Sequence, residues 1–451
     1  MLEKIKLEFP DEAMFYAARK AAGIMRDHGG KAFWVGGAVR DILLGRIPDD
    51  VDIVTTLLPQ EVLQAFPDSQ LIGACFGVVL IKMDGFVFEV ATSREERLYL
   101  DGRRPEEVKF TQDLELDVKR RDFTVNAMLY DPFEKVVIDY NGGLRDAEKR
   151  LLRVVGDPQE RFAEDHLRMF RAVRFAAKLG FNLDEEAFLT IKKMAHLTGN
   201  LATERVRQEL EMMLTGKDPV RALQLLKSSG LLAVWLPEVD ALEGVHQYEK
   251  YHPEGDVWQH TLLMFRNLEE PPEVNLAWSI LLHDIGKKVT FSCGSDCIPH
   301  FYCHESIGGD MVQVIADRLC FSNEQRECIT HAVVNHMRFA HVREMRQAKL
   351  KRLLAEKNFL LELELHRLDC KSSNGLMDTY SFLKDLLENM PSSKLPEPLI
   401  NGHDLIKLGF EPGSNFKNML NSVMDAQLEG VVSTKSEALD WIMKTFQNEK
   451  I

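Results

Sequence analysis

The chain has 451 residues, with 56 Lys+Arg against 70 Asp+Glu and a formal charge of −14 at pH 7. At roughly 100–200 residues per domain there is room for about three domains with buried cores. A content of 45% hydrophobic and 28% charged residues excludes disorder, collagen and coiled-coil fibres. Phosphate binding usually leaves a basic footprint, so the acidic balance speaks against a nucleic-acid partner; yet net charge is an average and binding is local.

Residues 12–28 read as an amphipathic helix, followed by a short apolar strand Ala32–Val35, the pair Gly36-Gly37, and a helix Ala38–Leu44. A second strand covers Val51–Val54. Strands at 77–83 and 86–91 flank Asp84-Gly85, a two-residue turn of the kind that closes hairpins. This small mixed α/β unit ends near Asn141-Gly142-Gly143. From about 146 the pattern is helical, punctuated by Gly180, Gly199, Gly216 and Gly230. His252-Pro253-Glu254-Gly255 opens a third, helical region reaching to about 375, and Pro391–Pro398 reads as a linker to a helical tail. No apolar run reaches ~18 residues, and the N-terminus is not a signal peptide, so no membrane partner is expected. Seven scattered cysteines (Cys75, Cys293, Cys297, Cys303, Cys320, Cys328, Cys370) look like reduced thiols of a cytoplasmic protein.

Gly36-Gly37 follows a strand and opens a helix, where the backbone can approach a phosphate and free N–H groups face it. Asp50 and Asp52 stand two apart at a strand start, so both carboxylates can converge on a divalent metal. Such a pair suits phosphoryl transfer with Mg²⁺, and Glu89 is a plausible third carboxylate. An isolated D-x-D is more often a solvated turn; the glycine pair upstream weakens that reading. Arg120 and Arg121 can clamp phosphate, while Asp122 and Asn126 can read a ribose hydroxyl. Glu164-Asp165 precedes Arg168, Arg171 and Arg174 at helical spacing. Asp165 and Arg168 would share a face and can match the Watson–Crick edge of a base, although a surface ion-pair lattice is the ordinary explanation of such spacing.

The successive runs FWVGGAVRDILLG, DDVDIVTT, FGVVLIKMDGFVFEVATSR, RRDFTVNAMLYDP, AEDHLRMFRAVRFAAKLGF and ERVRQELEMML resemble the class II tRNA nucleotidyltransferase/poly(A) polymerase family over about residues 15–230. The resemblance implies that Asp50 and Asp52 carry the catalytic metals and that Gly36, Gly37 and Arg40 lie at the triphosphate. Arg121, Asp122 and Asn126 would lie at the sugar. Asp165 and Arg168 would form the protein template for CTP or ATP, with Arg171 assisting at the phosphates. In SREERLYLDGRRPEEVKF, Arg97, Asp101, Arg103 and Arg104 would belong to the flexible loop of members that add all of C, C and A. Ser93 departs from the pattern, at a position where an aromatic residue is expected.

His260, His283-Asp284, His304, His336 and Asp369 form a second set. Imidazole with carboxylate suits Mn²⁺, Ni²⁺, Co²⁺ or Zn²⁺, and a two-metal centre can activate water for phosphoester hydrolysis. The segments HPEGDVWQHTLLM, LLHDIGKKVTF, CHESIGG, VNHMRF and LHRLDC resemble the HD phosphohydrolase domain over about 250–375, which implies those six residues as ligands and a phosphatase or 2′,3′-cyclic phosphodiesterase activity. Cys293, Cys297, His300 and Cys303 lack the paired knuckles of structural zinc and read as loop thiols.

The expected architecture is thus α+β: a mixed-sheet nucleotidyltransferase head (1–145), then an all-helical neck and body (146–250), HD domain (251–375) and tail (390–451). The expected reaction is template-independent CCA addition to the tRNA 3′ end from CTP and ATP, in a monomer or homodimer. From Glu388 onward there are six Lys, no Arg and nine acids. Bacterial poly(A) polymerases tend to end in a strongly basic tail, so tRNA is favoured over poly(A) or partial (A-adding or CC-adding) synthesis. A rival of another class is a phosphohydrolase recruited to RNA by a silent head.

Overall fold

Short apolar runs between glycine and polar turns assemble into an eight-stranded mixed sheet. The strands are β1 (Glu3–Lys6), β2 (Ala32–Val35), β3 (Asp52–Thr55), β4 (Gln70–Ile72), β5 (Val78–Met83) and β6 (Phe86–Thr92), then β9 (Leu129–Asp131) and β10 (Val136–Asp139). Between them β7 (Arg94–Arg97) and β8 (Glu107–Phe110) form a separate antiparallel ribbon. The sheet order is β1-β10-β9-β2-β3-β6-β5-β4, with β3 and β6 parallel. The computed structural model describes residues 2–72, 77–97, 107–294, 298–389 and 395–446. The chain divides into two units, Met1–Asp240 and Ala241–Ile451.

Both faces of the sheet are covered, and strand alternation decides which side each residue serves. On one face, helix α1 (Ala13–Asp27) buries Ala17, Ala18, Ala21 and Ala22 against Ile53, Ile81, Phe88 and Val90. Side chains this small let the helix axis come close to the strands. On the other, Val35 and Val54 pack with Leu114 and Val118 of α3 (Leu114–Lys119). Helix α2 is Gly37–Leu43. The β5–β6 turn has Asp84 at φ 49° and Gly85 at φ 88°, the paired positive φ that matches strand twist in a two-residue hairpin.

The α+β expectation holds, with corrections at the edges. Strand β3 begins at Asp52, so Asp50 sits in the approach to the strand rather than inside it. Strands β1, β9 and β10 escape a periodicity reading because three or four residues carry too little pattern.

The remainder is mostly helical. In the first unit, α4 (Leu167–Leu179) ends at Gly180 with φ 71° and packs on α5 (Thr203–Leu214). In the second, α6 (Val257–Arg266), α7 (Val274–Leu282), α8 (His304–Arg318), α9 (Asn323–Asn335) and α10 (Phe359–Ser372) form a bundle. Helices α8 and α9 approach closely at Gly309, where a Cβ would lie 2.4 Å from Val334 Cγ2. The C-terminal helices Gly402–Lys407, Asn415–Leu428 and Lys435–Thr445 enclose their own small core. Among the described residues, no helix is long and apolar enough to cross a membrane.

Candidate active site and candidate metal centre

A cleft of about 750 Å³ in the first unit gathers most of the expected head residues. Gly36, Gly37 and Arg40 enter from the β2–α2 turn, Asp50 and Asp52 from β3 and its approach, and Arg121, Asp122 and Asn126 from the segment after α3. Asp165, Arg168, Arg171 and Arg174 complete it. Gly36 is required where it stands: its φ is 79°, and a Cβ would come within 3.1 Å of Asp52 Oδ2. Burial, reinforced by the charges of Asp50 and Glu89, pushes the Asp52 carboxyl up to about 6 despite Arg121. Carboxylates held against their own repulsion suit a divalent cation at Asp50 and Asp52. Glu89 lies on β6 next to β3 in register, exposed and outside the cleft lining.

Behind these residues runs a continuous hydrogen-bonded lattice. Arg40, 3% exposed, grips Asp41 through two bonds of 2.8 and 2.9 Å and donates to Asn126 Oδ1 at 2.6 Å. Asp122 accepts from Arg171 at 2.6 and 3.0 Å. Burial alone would raise the Asp122 carboxyl, but the Arg171 ion pair and its hydrogen bonds hold it below the usual range. Arg174 donates to the buried Glu209 at 2.6 Å. The Phe175 ring lies under three guanidiniums, those of Arg40, Arg171 and Arg174, at 5.8, 5.5 and 4.4 Å. Asp117, fully buried, accepts from Arg120 at 2.7 and 2.9 Å, from Arg121 at 3.2 Å, and from the Arg94 backbone N–H at 3.2 Å. One carboxylate thereby fixes two arginines and the root of the β7–β8 ribbon.

The expected Asp165/Arg168 pair requires a correction. Helix α4 starts at Leu167, and Asp165 lies in extended backbone before it, accepting from the Leu167 N–H at 3.0 Å. The two residues therefore meet at a helix start, not on a continuous helical face. Asp165 pairs with Arg205 of α5 at 2.9 Å, while Arg168 engages Glu164 and the Arg161 carbonyl. Both still line the cleft.

Of the expected loop residues, Arg97 ends β7, and Asp101, Arg103 and Arg104 lie outside the described residues. Ser93, the departure from the family pattern, is fully buried at the ribbon's root. Its N–H donates to the Thr55 carbonyl at 2.7 Å and its hydroxyl to the Thr111 carbonyl at 2.5 Å.

In the second unit all six expected ligands come together. His260 is on α6, His283-Asp284 at the end of α7, His304 at the start of α8, His336 at the end of α9 and Asp369 on α10. His260 Nε2 lies 3.2 Å from Asp369 Oδ1, and Asp284 reaches His283, His304 and His336 at 3.1, 3.4 and 3.7 Å. Each Nδ1 is occupied from behind: His260 by Glu254 at 2.7 Å, and His283, His304 and His336 by the carbonyls of Ile280, Phe301 and Val333 at 2.9, 2.9 and 2.6 Å. A carbonyl can only accept, so Nδ1 carries the proton and Nε2 offers its lone pair inward. The Nε2 atoms of His304 and His336 then face one another at 3.2 Å, two acceptors that repel unless a proton or cation lies between them. Buried His260 Nε2 and His283 Nε2 have no hydrogen-bond partner among the described residues. Burial, against the pull of Asp284, holds His336 near 4, whereas His260 is pushed up to about 9 against its burial by the hydrogen bonds of Asp369 and Glu254. The donor set fits a divalent transition metal.

Several functional side chains are absent from the sequence-based set. Arg205 and Glu209 lie within ERVRQELEMML, so the motif offered a signal. Phe175 likewise lies within AEDHLRMFRAVRFAAKLGF, whereas Asp117 gave no signal beyond an ordinary helix pattern. Glu254, behind His260, also accepts from His252 at 2.8 Å, a convergence set by loop geometry.

Residues 32–153 match the family model described as the Poly A polymerase head domain, and residues 180–243 match the one described as a probable RNA and SrmB-binding site of polymerase A. The chain is 32% identical to a CCA-adding enzyme of Lactobacillus johnsonii over 94% of its own length and 96% of that protein's. It is 45% identical to a CCA-adding enzyme of Geobacillus kaustophilus over 225 residues, a match spanning 49% of this chain and 55% of that one. Its structure is similar to that of the Bacillus stearothermophilus CCA-adding enzyme in complex with CTP, with a TM-score of 0.75, 27% identity, and coverage of 97% of this chain and 98% of the other.

Proposed function

The chain belongs to the CCA-adding enzyme family, and on that premise we propose that it adds C, C and A to tRNA 3′ ends from CTP and ATP without a nucleic-acid template. The observation that carries this reading is one cleft holding an acidic pair, a sugar-reading Asp/Asn and a base-reading Asp/Arg, linked by a fixed arginine lattice. The primer 3′-hydroxyl releases its proton to solvent as its oxygen bonds to the α-phosphorus of the nucleotide, the bond from that phosphorus to the α–β bridging oxygen breaks, and pyrophosphate leaves with the electron pair. Asp50 and Asp52 would hold divalent metal, which when bound acidifies the attacking hydroxyl and offsets phosphate charge. Arg40, Arg171 and Arg174 orient the triphosphate, and their pre-set positions avoid reorganisation as charge moves to the leaving group. Asp122 and Asn126 select the ribose, and Asp165 with Arg168 reads the base. An enzyme of tRNA maturation with no apolar spanning helix among its described residues fits the cytoplasm.

Extension of labelled tRNA ending at the discriminator base, run beside an oligo(A) primer, tests the reading. Addition that stops after C, C and A on tRNA is expected; sustained A-only growth on either primer would overturn it. A second activity is supported by the four inward Nε2 atoms of the second unit. Together with Asp284 and Asp369 they would hold Mn²⁺, Ni²⁺, Co²⁺ or Zn²⁺ and hydrolyse phosphoesters. Turnover of 2′,3′-cyclic nucleotides that survives Asp52→Ala and is lost in His283→Ala is the expected result. Turnover unaffected by His283→Ala would sink this second assignment.

A further inference from the structure

Beside the six ligands of the second unit stands one buried polar group that they do not explain. The chain from Gly244 to Val257 is a loop pinned at its base. His246 bridges to Asp256, the Gly244 N–H donates to Asp256 Oδ2 at 2.7 Å, and the Val257 N–H donates to the Val245 carbonyl at 3.1 Å. The loop brings two side chains to the centre. One is Glu254, behind His260. The other is Gln247, 8% exposed, whose Oε1 accepts from Lys287 Nζ at 2.7 Å. Lys287 is itself buried, lies 2.7 Å from Asp284 Oδ2, and sits over the Phe301 ring at 5.5 Å. A single ammonium group therefore separates the Gln247 carboxamide from a carboxylate of the candidate metal centre. The centre is open on one side, where the His252 and Asp369 side chains that flank His260 keep 20% and 22% of their surface exposed.

An ammonium group can only donate, so the contact with Lys287 fixes which way the carboxamide faces: its oxygen is on the lysine, and its nitrogen is the free end. That Nε2 is buried and has no hydrogen-bond partner among the described residues. A buried amide donor without an acceptor is costly, and folded proteins seldom leave one. Glu254 Oε2, the other unpartnered buried polar atom of this loop, does not serve it, because each would then count as the partner of the other. What Nε2 lacks is an acceptor oxygen. A phosphoryl group at this centre brings non-bridging oxygens that bear negative charge, and a fixed neutral donor suits one of them. We infer that Gln247 donates from Nε2 to a non-bridging oxygen of the phosphoryl group bound here, with Lys287 as the positioning residue that holds the carboxamide. This inference rests on the reading of the second centre as one that binds divalent metal and phosphoesters.

The test is calorimetric titration of inorganic phosphate into the full chain saturated with Mn²⁺, for the wild type, Gln247→Met and Gln247→Glu. Methionine fills similar space without the donor, whereas glutamate keeps an oxygen for Lys287 and puts an acceptor where the donor stood. Phosphate affinity is expected to fall by about tenfold in Gln247→Met, in keeping with one lost hydrogen bond to a charged group, and further in Gln247→Glu. Mn²⁺ affinity, measured beforehand without phosphate, should stay at the wild-type value in Gln247→Met, which also certifies that the variant is folded. Wild-type phosphate affinity in Gln247→Glu overturns the assignment. So does a loss of phosphate affinity that only follows a loss of Mn²⁺ affinity in both variants, since that is the mark of a structural role. Failure of the underlying reading is distinguishable: the wild-type chain would then bind no Mn²⁺, or no phosphate once Mn²⁺ is bound, and the assignment would fall with it.

Discussion

Asp52→Asn separates the electrostatic cost of the acidic site from its catalytic use. Raising this carboxyl from 3.8 to about 6 corresponds to roughly 3 kcal/mol of penalty on the charged form. The side chain is only partly buried, and solvent screening reduces this to about 1–2 kcal/mol. The folded-state value is raised, so the stability linked to Asp52 is fully present below about pH 4 and is lost as pH rises through about 6. Metal-free wild-type protein should therefore weaken across that window, whereas Asp52→Asn should not. At about pH 8 in EDTA the variant head should be the more stable by about 1–2 kcal/mol while catalysing no nucleotide addition. Saturating Mg²⁺ should stabilise the wild type and leave the variant unmoved. Urea titration read by hydrogen exchange of the β3 peptide isolates the head from the second unit. Equal urea midpoints at pH 8, or a difference that does not shrink towards pH 4, would refute the placement of Asp52 against Asp50 and Glu89.

Asp117→Asn removes the charge that fixes Arg120 and Arg121; the head should lose about 3 kcal/mol, as for a broken buried ion pair, with KM for CTP and ATP rising together. Glu254→Gln should weaken Mn²⁺ binding by about tenfold through loss of the carboxylate behind His260, measured by calorimetry on the full chain. Gly286→Ala would set a Cβ 2.1 Å from the His304 carbonyl oxygen, so Mn²⁺ binding should be lost, while extension of tRNA by the separate first unit continues.

What could be read in the sequence was what is local. The strand, Gly36-Gly37 and helix that form the phosphate turn are contiguous, and strand β2 falls at Ala32–Val35 as expected. His283-Asp284 likewise follows directly from the apolar helix Val274–Leu282. The misreading of Asp165 and Arg168 has a definite cause, because helical spacing does not carry through the interruption between two helices at Asp165, which the polar run Glu164-Asp165-His166 does not announce. Illegible residues act across distance. Asp117 looks like any acid on a short helix, and its role appears only when the arginines and the Arg94 backbone fold back onto it. Glu254 is likewise defined by two imidazoles that converge on one oxygen.

The charge of −14 and an RNA substrate are reconciled by how charge is sorted in space. Nine cationic side chains and six carboxylates line the nucleotide cleft, a local excess of positive charge inside an acidic protein. Few of these cations are loose: Arg40, Arg120, Arg121, Arg171 and Arg174 each have a carboxylate partner. Paired arginines contribute little long-range field, so they do not draw in RNA indiscriminately, yet they stand in place when a triphosphate arrives. The acidic exterior then works against non-specific phosphate contacts, which depend on accumulated surface charge. The lattice also joins the parts of the nucleotide to one another. Arg171 spans Asp122, proposed for the sugar, and the Phe175 ring, and α4, which bears it, begins beside Asp165, proposed for the base. A base that fits poorly at Asp165 and Arg168 would disturb the start of α4 and, through Arg171 and Arg174, the alignment of the triphosphate. Selectivity in such a site is expressed in the rate of transfer and not only in nucleotide affinity.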